Sequence, residues 1–242
     1  RDGTQWSVTF SCLVDVPPLA PCDDPIALDL GTLRFATFHT GEQVENPRHI
    51  RRAEKRLRRK QQQLARGQRG SKRRERRKQE LRGAHRHVRN ARADFLHKLS
   101  RRLVNAYGVI IMEDLAIANL VKRPAPKVDA AKSAEVGAIV YAPNGAAAKS
   151  GLNKSILDAG WGMFAQMCSV KAGWAGRTVR FVDPRYTSQR CSGCGERQHL
   201  ELATRWYSCP QCGLELDRDQ NAAINILRAG SRACAETPAS QV

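Results

Sequence analysis

Ile26-Ala27-Leu28-Asp29-Leu30-Gly31 is an apolar run with one acid inside it, answered after a short turn by Phe35-Ala36-Thr37-Phe38. Runs this short, punctuated by Pro25 and Gly31, predict two strands of a hairpin. Downstream, Val109-Ile110-Ile111-Met112 is continuously apolar and ends in Glu113-Asp114-Leu115. That is the pattern of a parallel strand buried on both faces. A further strand is expected over Thr178 to Val182. A helix is expected from about Lys154 to Ala172 and another over Asn221 to Leu227, so the class is α/β with a mixed sheet. Upstream, Gln5 to Val14 places Trp6, Val8, Phe10, Cys12 and Val14 on one face and predicts a half-buried strand. Pro17, Pro18, Pro21 and Pro25 then mark a linker.

Charge is the second clue. The 242 residues carry a formal +18, a balance that favours a polyanionic partner through neutralised phosphates and released counterions. Between Arg48 and Arg102, 23 Lys and Arg face four acids (Glu54, Glu75, Glu80 and Asp94), so that this segment alone carries +19. Its apolar residues have helical spacing. Ile50, Leu57 and Leu64 precede a break from Gly67 to Ser71, after which Leu81, Ala84, Val88, Ala91, Phe95, Leu99 and Leu103 recur at steps of three and four. A long helical hairpin with a thin apolar seam follows. A solvated helical pair is the bland reading, but like charges at this density repel along a helix. Phosphate contact explains them better, with Arg51, Arg52, Lys55, Arg58, Arg59, Lys72, Arg73, Arg76, Arg77, Arg86 and Arg89 as its carriers. Trp161, Trp174 and Tyr186 are candidate base-stacking groups, although aromatics beside Gly and apolar residues are more often core.

Eight cysteines do not make this a secreted disulfide scaffold, since the chain is long and charge-rich. Cys191-Ser-Gly-Cys194 and Cys209-Pro-Gln-Cys212 are two CxxC knuckles, and two knuckles close a tetrahedral thiolate shell around structural Zn²⁺. Such a shell has no open position for water. Cys12, Cys22, Cys168 and Cys234 are expected to be plain thiols, mostly buried.

Asp29, Glu113, Asp217 and Asp219 each have an ordinary explanation alone. Asp29 fits a hydrogen-bonded turn and Glu113 a surface position near a helix start, and Asp217 or Asp219 fits an N-terminal helical turn. Together they read differently. An acid on a first hairpin strand, a second ending a later apolar strand and a third opening a terminal helix are the parts of a ribonuclease-H-like site. Such a trio can hold two divalent cations about 4 Å apart.

Seven stretches carry a resemblance to a known family. They are ALDLG at 27–31, the Gly70-Ser71 break, NARADFLHKLS at 90–100, IMEDL at 111–115, ILDAGWGMF at 156–164, DPRYTSQRCSGCG at 183–195 and CGLELDRDQNAAINIL at 212–227. With them the chain resembles the OrfB-type transposon nucleases called TnpB, relatives of type V CRISPR effectors. The resemblance implies a RuvC (ribonuclease-H-like) domain interrupted by a zinc ribbon, with RNA-guided cutting of DNA as the activity. It implies Asp29, Glu113 and Asp219 as ligands of Mg²⁺ or Mn²⁺, with Asp217 the nearby alternative. Guide RNA and substrate DNA are the implied partners. DNA joining by a transposase is the weaker chemistry, and a non-catalytic nucleic-acid-binding protein derived from such a nuclease is the rival reading.

The expected layout is a remnant of an N-terminal wedge domain and linker over 1–22 and a RuvC-like core over 23–186. That core holds the basic hairpin at 46–105 and a loop or lid, without sustained period, at 123–153. A zinc ribbon over 187–213, a final helix with the third acid over 214–230 and a frayed tail over 231–242 complete it. No apolar run of about 18 residues exists to cross a bilayer, and no signal peptide is expected. A cytoplasmic protein, on the nucleoid when bound to DNA, is the expectation.

Overall fold

The computed structural model describes residues 6, 8–14, 17–201 and 204–235, excepting the side chains of the last three. The first strand, β1 (Pro25–Leu30), turns into β2 (Arg34–Phe38), which continues into a short β3 (Gln43–Glu45). Two helices follow, α1 (His49–Ala65) and α2 (Lys72–Ala106), and then β4 (Val109–Glu113). After α3 (Ile117–Leu120) come β5 (Lys127–Val128), α4 (Ala130–Val136) and β6 (Tyr141–Ala142). The chain goes on through α5 (Ala146–Ala159), α6 (Trp161–Trp174) and β7 (Thr178–Val182). It ends with β8 (Trp206–Ser208), β9 (Glu215–Asp217) and α7 (Arg218–Ala235).

Five strands form one mixed sheet in the order β3-β2-β1-β4-β7. β1 and β2 are antiparallel, as their short turn requires, whereas β4 runs parallel to both β1 and β7. Parallel neighbours need long crossovers. The basic hairpin α1–α2 supplies the first, and the α5–α6 pair the second. Alternation along the strands then sends side chains to two faces. Ile26, Leu28, Leu30, Ile110 and Met112 pack against Leu96, Leu99, Leu103, Phe164 and Cys168 of α2 and α6. Ala27 and Ile111 face the other way and meet Ile226 of α7, with Val182 alongside. The expected mixed α/β architecture is therefore present as three layers, helix on sheet on helix.

α7 approaches the sheet very closely. A Cβ at Gly230 would lie 2.5 Å from Ile111 Cγ2, so only glycine lets the backbone come this near. On the helix, Asp219, Ala223, Ile226 and Gly230 lie three or four residues apart and share a face. Ala223 and Ile226 are fully buried. The packing of Gly230 and Ile226 thus orients Asp219 toward the sheet.

Several expectations need correction. Trp6 and residues 8–14 form no strand, and Trp6, Val8, Phe10 and Val14 are all more than 70% exposed. Alternation produces a strand only where another strand supplies hydrogen bonds, and none of the described strands does so here. The single helix expected over Lys154 to Ala172 is two helices, because Gly160 adopts φ +75° and closes α5 just before α6 begins. The 123–153 segment is not a bare loop. Its two short strands pair as Lys127 with Ala142 and Val128 with Tyr141, and α4 lies between them, capped by Asp129 Oδ1 accepting from the Lys132 amide at 3.2 Å. α7 runs on through residues 231–235 of the expected tail, and residues 236–242 lie outside the described set. Of the plain thiols, only Cys168 is buried. Cys12 is exposed and Cys22 half-buried, while the side chain of Cys234 is outside the described set. β3, too short to show a period, was not anticipated.

Two glycine substitutions should separate packing from propensity. Gly230→Val overpacks the α7–sheet contact and should destabilise the chain by about 1–3 kcal/mol. Gly83→Ala, in the middle of α2 with no atom within 4 Å of the added Cβ, should stabilise it by about 0.5–1 kcal/mol. Chemical denaturation checks both signs, and a neutral Gly230→Val would contradict the close approach.

Candidate active site and metal centre

Asp29 follows Leu28, which pairs with Met112 in the parallel β1–β4 ladder, so one further step sets Asp29 beside Glu113. Both share the face of Ala27 and Ile111, the face that α7 covers. Asp219 enters from the first turn of α7. The electrostatics record this convergence. Burial, then Glu113, then Asp219 push the Asp29 carboxyl well above its ordinary range, against the pull of Arg218. Glu113 is raised by burial, and Asp219 by burial and then Asp217. Three carboxyls that each hold protons more tightly than usual form a site short of positive charge.

Asp217 is occupied differently. Its Oδ2 accepts from Arg34 Nη1 at 2.7 Å, while Oδ1 accepts from the amides of Asp219 (2.9 Å) and Gln220 (3.3 Å). It therefore caps α7 and ties that helix to β2. Gln220 adds a weaker tie, donating from Nε2 to the His39 carbonyl at 3.5 Å.

The four knuckle cysteines come together as expected. Their Sγ atoms all lie within 4.8 Å of one another, and the Cys191–Cys212 and Cys194–Cys209 separations are both 3.6 Å. Four sulfurs on bonds of about 2.3 Å around a tetrahedral ion sit about 3.8 Å apart, so this cluster can hold a metal ion. Burial opposes ionisation of Cys191, but the Cys194 and Gly193 amides donate to its sulfur and bring its pKa down to about 7. Strands β8 and β9 pair antiparallel next to it, and Tyr207, Leu214 and Leu216 pack against Cys191 and Cys209.

Polar residues that carry no charge join this knuckle to the acids. Thr187 Oγ1 lies 2.6 Å from Glu113 Oε1, to which it donates. Asn225 Nδ2 donates to the carbonyls of Thr187 (2.8 Å) and Arg190 (2.7 Å). Asn221, fully buried, donates to Arg190 O at 2.7 Å and accepts from the Ser192 amide at 2.8 Å. Sequence reasoning missed all three because it searched for charged and thiol ligands. The signal was present in two asparagines four residues apart on the helix that carries Asp219.

The basic hairpin is built as the periodicity implied. Leu57, Ala84 and Val88 form its seam, with Ile50, Ala53 and Leu81 packed around them. Arg51, Arg52, Lys55, Arg58, Arg59, Lys72, Arg73, Arg76 and Arg89 are exposed, and Arg77 and Arg86 are half-buried. Arg77 braces the hairpin, donating to Gln63 O at 2.7 Å. Its inner end is fixed by Asp158, which receives Arg92 Nη2 at 2.9 Å and the Ile50 amide at 2.9 Å. Of the aromatic candidates Trp161 is core, whereas Trp174 and Tyr186 are exposed, with the Arg197 guanidinium 3.6 Å from the Tyr186 ring centre. Among the described residues no helix is long and apolar enough to cross a membrane.

Comparison with known proteins agrees with this architecture. Residues 9–124 match the OrfB family model, described as "Probable transposase", and residues 161–226 match the model "Cas12f1-like, TNB domain". A Streptomyces pristinaespiralis protein named "Putative RNA-guided DNA endonuclease" is 33% identical over 233 residues, which is 96% of this chain and 51% of that protein. The Escherichia coli K12 protein named "Putative RNA-guided DNA endonuclease InsQ" is 32% identical over 236 residues, 96% of this chain and 56% of that protein. The chain thus spans about half the length of these relatives. A cryo-EM structure of a CRISPR-Cas12f ternary complex shares the fold at TM-score 0.53 and 17% identity, covering 88% of this chain and 40% of that one. The chain belongs to the OrfB, or TnpB-like, family of transposon proteins, with a C-terminal part of the Cas12f1 type.

Proposed function

We propose that this chain carries the DNA-cutting centre of an RNA-guided, transposon-encoded endonuclease, built on a RuvC sheet with an inserted zinc ribbon. The observation that supports it best is the convergence of Asp29, Glu113 and Asp219 on one sheet edge, each with its pKa raised. A strand order of 3-2-1-4-7, with the acids on β1, on β4 and at the start of the closing helix, suits a ribonuclease-H-like centre.

In this reading Asp29, Glu113 and Asp219 ligate Mg²⁺ or Mn²⁺, for which a trio of oxygen donors lacking a counter-cation is suited. The bound ions would supply Lewis acidity to the scissile phosphate and a nucleophilic water. The protein's own part is positional. Thr187 fixes the rotamer of Glu113, the Gly230–Ile111 contact sets the depth of Asp219, and Asp217 with Arg34 anchors the start of α7. The four cysteines hold Zn²⁺ and keep Thr187 and Arg190 where Asn221 and Asn225 grip them. The exposed basic residues of α1 and α2 contact phosphates of guide RNA and target DNA.

Asp29→Ala should lower Mg²⁺-dependent cleavage of a guided DNA target about a thousandfold or more, the equivalent of several kcal/mol of lost transition-state stabilisation. Cleavage at the wild-type rate would remove Asp29 from the site.

Thr187→Val should raise the Mg²⁺ concentration for half-maximal cleavage about 10–100-fold, and Thr187→Ser should largely restore it. Cys191→Ser should abolish zinc retention and reduce cutting. Full activity in a zinc-free protein would break the proposed link between knuckle and acids.

A further inference from the structure

A cavity of about 470 Å³ opens between the β1–β2 turn, the start of α1, the end of α5 and the Cys knuckle. Its volume lies in the range typical of ligand sites, about 300–1,000 Å³. Thr32, Leu33, Arg48, Arg51 and Arg205 are among its lining residues. Two acids also line it, and both are already neutralised. Asp158 is paired with Arg92, and Glu54 with Lys154. Arg48, Arg51 and Arg205 have no ion pair with a described carboxylate, so the cavity carries an excess of about three positive charges.

Its position is informative. Thr32 and Leu33 follow directly on the strand that carries Asp29. The Arg205 carbonyl accepts from the Arg218 amide at 2.9 Å, beside Asp219, and the Arg205 charge acts on the Asp219 carboxyl. One arginine therefore belongs to both the cavity and the acid site. Arg48 adds an independent sign. It is one of only two described non-glycine residues with positive φ, at φ 48° and ψ 54°. Asn46 over-determines this strained conformation, accepting from the Arg48 amide at 3.1 Å and donating to Thr32 O at 2.9 Å. Backbone strain of about 1–3 kcal/mol persists where function needs the side chain's placement.

We propose that this cavity is a phosphodiester subsite, in which Arg48, Arg51 and Arg205 hold a backbone phosphate of the DNA strand one or more nucleotides from the bond being cut. This rests on the acid site proposed above and adds to it a residue set outside the exposed hairpin surface. Arg205 would then set the distance between the held phosphate and Asp219, which gives the cut its position along the strand.

The test uses the intact chain and a fluorescent single-stranded DNA oligonucleotide. Arg48→Gln combined with Arg205→Gln should reduce affinity several-fold. It should also flatten the slope of log K against log salt by about 1.4, since each lost phosphate contact on a single strand removes about 0.7. Arg48→Gly separates binding from folding. Glycine fits the left-handed backbone, so this variant should raise Tm while still losing DNA affinity. Unchanged DNA affinity and salt slope in both variants would overturn the subsite. So would a loss confined to an RNA oligonucleotide of the same sequence. Binding is measured without Mg²⁺, so these outcomes are independent of whether the wild-type chain cuts.

Discussion

Three carboxylates held together at the edge of a sheet repel one another, and the rest of the molecule is arranged to keep them there. Asp29 and Glu113 are placed by the register of two parallel strands, which cannot slip by one residue without turning Ile26, Leu28, Ile110 and Met112 away from the core. Asp219 is placed by a helix whose closest approach depends on a glycine. Burial and mutual repulsion raise all three pKa values, so the folded chain bears an electrostatic cost at neutral pH that a divalent cation would relieve.

The basic hairpin and the cysteine knuckle serve this edge from opposite directions. The hairpin is the crossover between β1 and β4, so the element richest in positive charge is covalently tied to the strands that carry Asp29 and Glu113. Its inner end is clamped by Asp158, which both pairs with Arg92 and accepts from the amide of Ile50. The knuckle joins β7 to α7. Through Thr187, Asn221 and Asn225 it touches the Glu113 carboxylate and the helix of Asp219 together. A metal at the cysteines and metals at the acids would then be coupled by four hydrogen bonds through one buried asparagine and its neighbours.

Much of this was legible in the residues. Asp29 stands out because an acid inside Ile26–Leu30 demands a partner, and the cysteines because doubled CxxC spacing has few other uses. What was hidden had physical reasons. Gly160 ends a helix by adopting a left-handed backbone, which periodicity does not report. The small strands at Lys127–Val128 and Tyr141–Ala142 are too short for any alternation to register. The segment around Val8 and Phe10 alternates well yet forms no strand, because alternation describes a face and pairing requires a neighbour. Thr187, Asn221 and Asn225 act through neutral hydrogen bonds, and their roles emerge only once β4, the knuckle and α7 are side by side. The resemblance supplied the choice of Asp219 over Asp217, and the geometry gives that choice a reason in the Arg34 pair that occupies Asp217.

The account stands or falls on whether the acid edge binds a divalent cation, and the direct measurement is thermal unfolding of the intact chain with and without Mg²⁺. A carboxyl whose pKa is raised on folding destabilises the chain above that pKa and ceases to do so as pH falls through it. The metal-free protein should therefore gain stability on mild acidification from neutral pH. Mg²⁺ should raise Tm at pH 7. Asp29→Asn should raise the metal-free Tm at pH 7 and abolish the Mg²⁺ response. A Tm indifferent to Mg²⁺ in the wild type, or a full response retained in Asp29→Asn, would contradict the account.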